Sequence, residues 1–156
     1  MIYQHLSAGG CQSYLIGCAE SCAAALIDPE ISLVDRYLGL AARDGLRIQY
    51  LVDTHTHADH FSATQQRARK LGAAVAMHRA SPAPFVDLRL EDGEMLLVGK
   101  LRLQVLHTPG HTPDSICVRA EDRVFTGDTL PIGATGRTDL PGRRCGWWQD
   151  RGADAD

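Results

Sequence analysis

Three histidines and one aspartate fall within six residues: His55, His57, Asp59 and His60, inside Thr54-His55-Thr56-His57-Ala58-Asp59-His60. A single histidine is easily satisfied by packing. Four such groups at this density lose their water together unless something compensates them. A divalent cation does so, because imidazole nitrogen and carboxylate oxygen are donors that Zn2+ and non-haem Fe2+ accept. In a turn, alternate residues point toward one centre, so His55 and His57 reach the same ion while Asp59 and His60 face a neighbouring position. Two later segments supply what a closed site needs: Thr108-Pro109-Gly110-His111-Thr112 and Gly127-Asp128-Thr129. His107 competes with His111 but lacks the Pro-Gly turn, so it reads as a packing residue or as outer support for a ligand. His5 and His78 carry no ligand spacing and read as ordinary. Asp53 either orients a ligand through a hydrogen bond or is a simple turn carboxylate.

The elements around these residues must bring them to one place. Residues 2–6, 11–18 and 23–27 alternate or run apolar and read as strands, the third stopped by Asp28-Pro29. From Ile31 the spacing changes: Ile31, Val34, Leu38, Ala41 and Ala42 recur at three to four residues. That is an amphipathic helix ending near Asp44, with Gly45 as its stop. A short strand at 47–52 runs straight into the histidine cluster, and a second helix is expected from about Ser62 to Leu71. Further strands are expected at 74–77, 95–98, 101–106, 115–119 and 123–126, with hairpin turns at Glu91-Asp92-Gly93 and Val98-Gly99-Lys100. His111 then follows one strand and Asp128 another, so three strand ends deliver His, His and Asp to one rim. Hairpin strands with helices between some of them indicate mixed α/β layers rather than a βαβ series. Periodicity vanishes after Thr126. Residues 143–156, with Trp147 and Trp148 beside Arg143, Arg144 and Arg151, read as an unfolded terminus rather than a binding peptide.

A chain of 156 residues is the size of one ordinary domain, and 44% hydrophobic with 22% charged residues is a globular composition. The formal net charge of −3, without a Lys/Arg stripe, argues against nucleic-acid binding, which needs cations to displace phosphate counterions. No apolar run is long enough to span a bilayer. No secretory leader opens the chain, so a cytoplasmic location is expected. Cys11, Cys18, Cys22, Cys117 and Cys145 form no CxxC. They read as buried free thiols, in preference to a Cys11–Cys18 redox pair.

Thr54–His60 in its H-x-H-x-D-H form, Pro109-Gly110-His111-Thr112 and Gly127-Asp128-Thr129 resemble the ordered motifs of the metallo-β-lactamase superfamily, over roughly residues 1–142. Within it, the Thr-His-x-His-Ala-Asp-His form and Gly136-Arg137-Thr138-Asp139 look most like the persulfide dioxygenase and glyoxalase II branch, and tilt toward persulfide dioxygenases. The resemblance implies an α/β (α+β) fold, an αββα sandwich over residues 1–142 followed by the irregular tail. On the persulfide dioxygenase pattern, a single Fe2+ is held by His55, His111 and Asp128, with positions left open for a thiolate and O2. His57, Asp59 and His60 then surround it and orient ligands and substrate, with Asp59 and His60 the catalytic candidates and Arg137 a substrate contact. The reaction implied is oxidation of glutathione persulfide to sulfite and glutathione.

On the glyoxalase II pattern, two ions such as Zn2+ bind. His55, His57 and His111 hold one, while Asp59, His60 and one further His hold the other. Asp128 bridges them, and metal-activated water cleaves an S-acylglutathione thioester. No His follows His111 in this sequence, so the dinuclear set is incomplete and the mononuclear iron assignment is favoured, with one Zn2+ as an alternative occupant. The family's second sheet-and-helix half is expected to be largely missing. The sandwich is then incomplete, and copies of the chain associate to cover the sheet surface left open. A metal-binding chain without turnover is the expectation from outside the enzyme class.

Overall fold

The computed structural model describes residues 1–8, 10–56, 71–131 and 135–136. Among these residues the first sheet has six strands in sequence order: β1 (Ile2–Ala8), β2 (Cys11–Cys18), β3 (Ala23–Ile27), β4 (Arg47–Val52), β5 (Ala74–His78) and β6 (Leu88–Leu90). β1, β2 and β3 pair antiparallel, whereas β3 to β6 run parallel. The second sheet is antiparallel, with β7 (Met95–Val98), β8 (Leu101–His107), β9 (Ile116–Ala120) and β10 (Arg123–Phe125) in the order β10-β9-β8-β7.

The apolar pattern of β3 explains the layering. All of Ala23–Ile27 is buried, which a strand needs only when both faces of its sheet are covered. On one face Ala25 and Ile27, with Ile16 and Val52, meet Leu103, Val105, Ile116 and Val118 of the second sheet. On the other, Ala24 and Leu26 pack with Leu15 and Leu51 under Tyr37 and Ala41 of helix α1 (Val34–Arg43). Tyr37 is fully buried. Its hydroxyl shares a hydrogen bond of 2.7 Å with Ser13 Oγ and accepts the Glu30 backbone N–H at 2.9 Å. In β7 the alternation is strict: Leu96 and Val98 are buried, Met95 and Leu97 exposed. Among the described residues no helix covers that outer face, and helix, sheet and sheet are the layers present.

The expected helix begins with a short 3-10 turn, Ile31–Leu33, whose Ser32 N–H donates to the Glu30 carboxylate at 2.8 Å. Gly45 stops α1 with a φ of +63°, a conformation glycine adopts without a Cβ penalty. Two expectations are corrected. Glu91-Asp92-Gly93 is no hairpin turn: it carries the chain from β6 in the first sheet to β7 in the second. β6 itself is a three-residue edge strand, too short to show a period. The cysteines are also not uniformly buried, since Cys117 is buried, Cys11 and Cys18 are half-buried and Cys22 is exposed. Cys11 and Cys18 stand at opposite ends of β2, about 23 Å apart at the rise of a strand, so they cannot form a disulfide. The Cys18 thiol is pulled down to about 7, chiefly by a hydrogen bond from the Ser21 side chain and by backbone N–H groups. The expected helix at 62–71, Cys145 and the tail 143–156 lie outside the described residues.

Candidate metal centre

Three strand ends meet at one rim of the sandwich. β4 runs into Asp53-Thr54-His55, β8 into the Pro109-Gly110-His111 turn, and β10 into a short 3-10 turn, Gly127–Thr129. The Ile116 N–H donates to the Thr54 carbonyl at 2.8 Å, joining the second sheet to the end of β4. The hydroxyls of Thr108 and Thr129 lie 3.1 Å apart and tie the other two ends together. Side chains of His55, His111 and Asp128 converge as a result. His55 Nε2 is 3.7 Å from Asp128 Oδ2, and His111 Nε2 is 3.5 Å from the same oxygen. The two rings stand edge to face, with centroids 5.0 Å apart and planes at 83°, so their nitrogens approach that oxygen from different directions. Donors about 2.1 Å from one ion at tetrahedral angles lie about 3.4 Å apart, close to the separations found. The residues present fit a metal.

The partners of His55 choose its tautomer. A carboxylate only accepts, and both Asp28 oxygens lie within reach of Thr54 Oγ1, at 3.0 and 2.8 Å. The Thr54 hydroxyl therefore donates to Asp28, and its oxygen accepts the proton on His55 Nδ1 at 3.0 Å. That leaves the Nε2 lone pair facing Asp128, as a metal ligand requires. The Thr54 backbone N–H donates to the same carboxylate at 2.7 Å. Asp28 adopts a φ of +46° to make these contacts. In the sequence Asp28 marks only the end of a strand. The signal that finds it is the parallel pairing of β3 with β4, where Ile27 lies opposite Val52 and the next residues become neighbours.

Gly127 is required at this point. Its φ is +48°, and a Cβ there would stand 2.1 Å from Thr54 Oγ1. Gly136 backs the other side, where a Cβ would lie 1.9 Å from the Asp128 carbonyl oxygen and 3.1 Å from His111 Cβ. The start of Gly136-Arg137-Thr138-Asp139 is thus packed against two of the three converging residues.

A cleft of about 340 Å³ opens beside His55 and Asp128, walled by Cys11, Tyr14, Glu30, Asp53, Leu130 and Pro131 among others. Burial, with Tyr3 and Asp28 nearby, pushes the Tyr14 phenol up, so it stays a neutral O–H donor on the wall. Asp53 is buried and lines this cleft. His55 and His111 are 4% and 13% exposed, whereas Asp128 is 58% exposed, so the carboxylate faces the open side. Of the residues singled out from the sequence, the structure brings together His55, His111 and Asp128. His57, Asp59, His60 and Arg137 lie outside the described residues. His5 hydrogen-bonds Gln12 and stacks on Tyr14, as an ordinary surface histidine does. His78 stacks on His107.

The chain and its architecture match known proteins. The model of the metallo-beta-lactamase superfamily matches residues 6–154. The human mitochondrial persulfide dioxygenase ETHE1 is 39% identical over 131 residues, covering 82% of this chain and 51% of that protein. A hydroxyacylglutathione hydrolase from Anaeromyxobacter dehalogenans is 43% identical over 108 residues, covering 69% and 42%. The crystal structure of ETHE1 from Myxococcus xanthus aligns with a TM-score of 0.84 at 39% identity, covering 90% of this chain and 63% of that one. The chain spans about half the length of the curated relatives it matches. Among the described residues no helix is long and apolar enough to cross a membrane. With three strand ends, a His/His/Asp convergence and a family match over most of its length, the chain belongs to the metallo-beta-lactamase superfamily, a metal-dependent family, on the side that holds persulfide dioxygenases and hydroxyacylglutathione hydrolases.

Proposed function

We propose that this chain holds one Fe2+ through His55 Nε2, His111 Nε2 and an Asp128 carboxylate oxygen, and oxidises glutathione persulfide with O2 to sulfite and glutathione. The observation that carries the reading is the convergence of those three donors beside an open cleft. A two-His-one-carboxylate iron supplies open positions at which a thiolate and O2 meet. The balance is one persulfide, one O2 and one water giving glutathione, sulfite and two protons. Asp28 and Thr54 favour the tautomer with its proton on His55 Nδ1, which turns the Nε2 lone pair toward the ion. The Tyr14 O–H offers a hydrogen bond to a substrate lying along the cleft. Asp59 and His60 are proposed to orient substrate, His57 to support the same segment, and Arg137 to pair with a substrate carboxylate. Likeness to persulfide dioxygenases over most of this chain supports the substrate. The exposed Met95, Leu97 and Val124 support association of copies through the second sheet.

The 43% identity to a hydroxyacylglutathione hydrolase favours a second reading, hydrolysis of S-acylglutathione thioesters with Zn2+ at one or two positions. Oxygen uptake decides between them. Protein loaded with Fe2+ without oxygen should consume one O2 for each sulfite released from glutathione persulfide. Thioester cleavage without oxygen uptake selects the hydrolase. Silence in both assays with metal bound leaves a metal-binding chain without turnover.

A further inference from the structure

Two histidines outside the metal centre are built into each other. His78 closes β5 in the first sheet, His107 closes β8 in the second, and their rings lie face to face with centroids 3.9 Å apart, 10° from parallel. The edge of His107 is bound as well. Its Nε2 lies 2.9 Å from the Pro113 carbonyl, which only accepts, so the ring carries its proton on that nitrogen. Its backbone N–H donates to the Asp92 carboxylate at 2.8 Å. His78 Nδ1 accepts the Ala80 N–H at 3.2 Å, and His78 is 5% exposed. The His107 ring thus joins the start and the end of segment 107–113, in the middle of which His111 sits. Its face rests on a buried side chain of the other sheet.

The neighbouring contacts point the same way. Asp114 follows Pro113, is 2% exposed, and accepts a hydrogen bond from Thr56 Oγ1. That hydroxyl also lies 3.2 Å from Ser81 Oγ, three residues beyond His78. The segments bearing His55 and His111 therefore share one anchor at the end of β5.

We propose that His78 and His107 are positioning residues for His111: their stack holds segment 107–113 in the closed form that keeps His111 Nε2 beside Asp128 and His55. The proposal rests on the metal reading of those three residues. The stack is favoured while His78 is neutral. Burial pushes its imidazole below the usual range, as does the His107 ring; Asp114 pulls it up, Arg79 pushes it down and Asp92 pulls it up. A histidine held below its unfolded value contributes fully above about pH 6.5, and that contribution is lost as the pH falls toward the folded value. The hold on His111 therefore weakens in mild acid.

The test is Zn2+ affinity, read by competition with a chromophoric chelator at about pH 7.5 and about pH 5.5, on either side of the histidine range. At the higher pH, His107→Ala should lower affinity by about 10–100-fold, the scale of losing a group that orients a ligand. His107→Gln, which keeps an N–H for the Pro113 carbonyl but loses the stacked ring, should recover only part of it. His78→Phe keeps an aromatic face without a titrating proton. It should hold the parent affinity at the higher pH and lose less of it than the parent at the lower. If His107→Ala does not fold by circular dichroism, the other two variants carry the same comparison. A parent that binds no Zn2+ overturns the metal reading itself. A parent that binds, with a folded His107→Ala of equal affinity or equal acid loss in His78→Phe, overturns the positioning role alone.

Discussion

His111→Ala is expected to abolish tight metal binding, with a loss well beyond the roughly 10–100-fold that removing an orienting partner costs. The variant keeps only His55 and Asp128 of the converging set, and two donors hold a divalent ion far more weakly than three. His111 lies on a turn after β8 and belongs to none of the apolar core clusters, so the variant should fold. Competition titration with Zn2+ and a circular dichroism melt measure the two properties separately. Unchanged affinity in the folded variant would put the metal on other residues.

Tyr37→Ala is expected to cost about 3–5 kcal/mol, the range for removing a buried aromatic side chain and leaving a cavity. Tyr37 joins α1 to the first sheet and has no exposed surface. Tyr37→Phe isolates the polar part. It removes the hydroxyl that Ser13 Oγ and the Glu30 N–H now reach, while Ser13 Oγ keeps the Leu6 carbonyl at 3.3 Å, a loss of about 0.5–1.5 kcal/mol for each hydrogen bond. Urea denaturation of both variants gives the difference. A Tyr37→Phe variant as stable as the parent would show that those two groups find other partners, and would confine the role of the residue to packing.

What the sequence marks and what it hides divide along the range of the interactions. His55, His111 and Asp128 are legible because each follows a strand whose apolar period and turn residues are local. β3 is legible as a strand from its unbroken Ala23–Ile27 run, and α1 from its three-to-four spacing. The turn at Glu91-Asp92-Gly93 is misread because a local signal states that the chain turns, not which sheet it enters next. β6 escapes because three residues carry no period. Asp28 and His78 escape for another reason. Their partners Thr54 and His107 come from other strands, 26 and 29 residues away, and no spacing rule encodes a contact made by the packing of strands and sheets. The Asp28–Thr54–His55 chain and the His78–His107 stack are tertiary products, although each adjoins a segment whose histidine the sequence marks.

The central claim is that this fold holds a single ion at His55, His111 and Asp128, and elemental analysis of purified protein tests it most directly. Grown and purified without oxygen, the parent should carry close to one equivalent of metal per chain, iron by identity, and His111→Ala should carry almost none. Two equivalents of zinc in the parent, with one lost in Asp59→Ala, would contradict the single-ion account and favour the hydrolase.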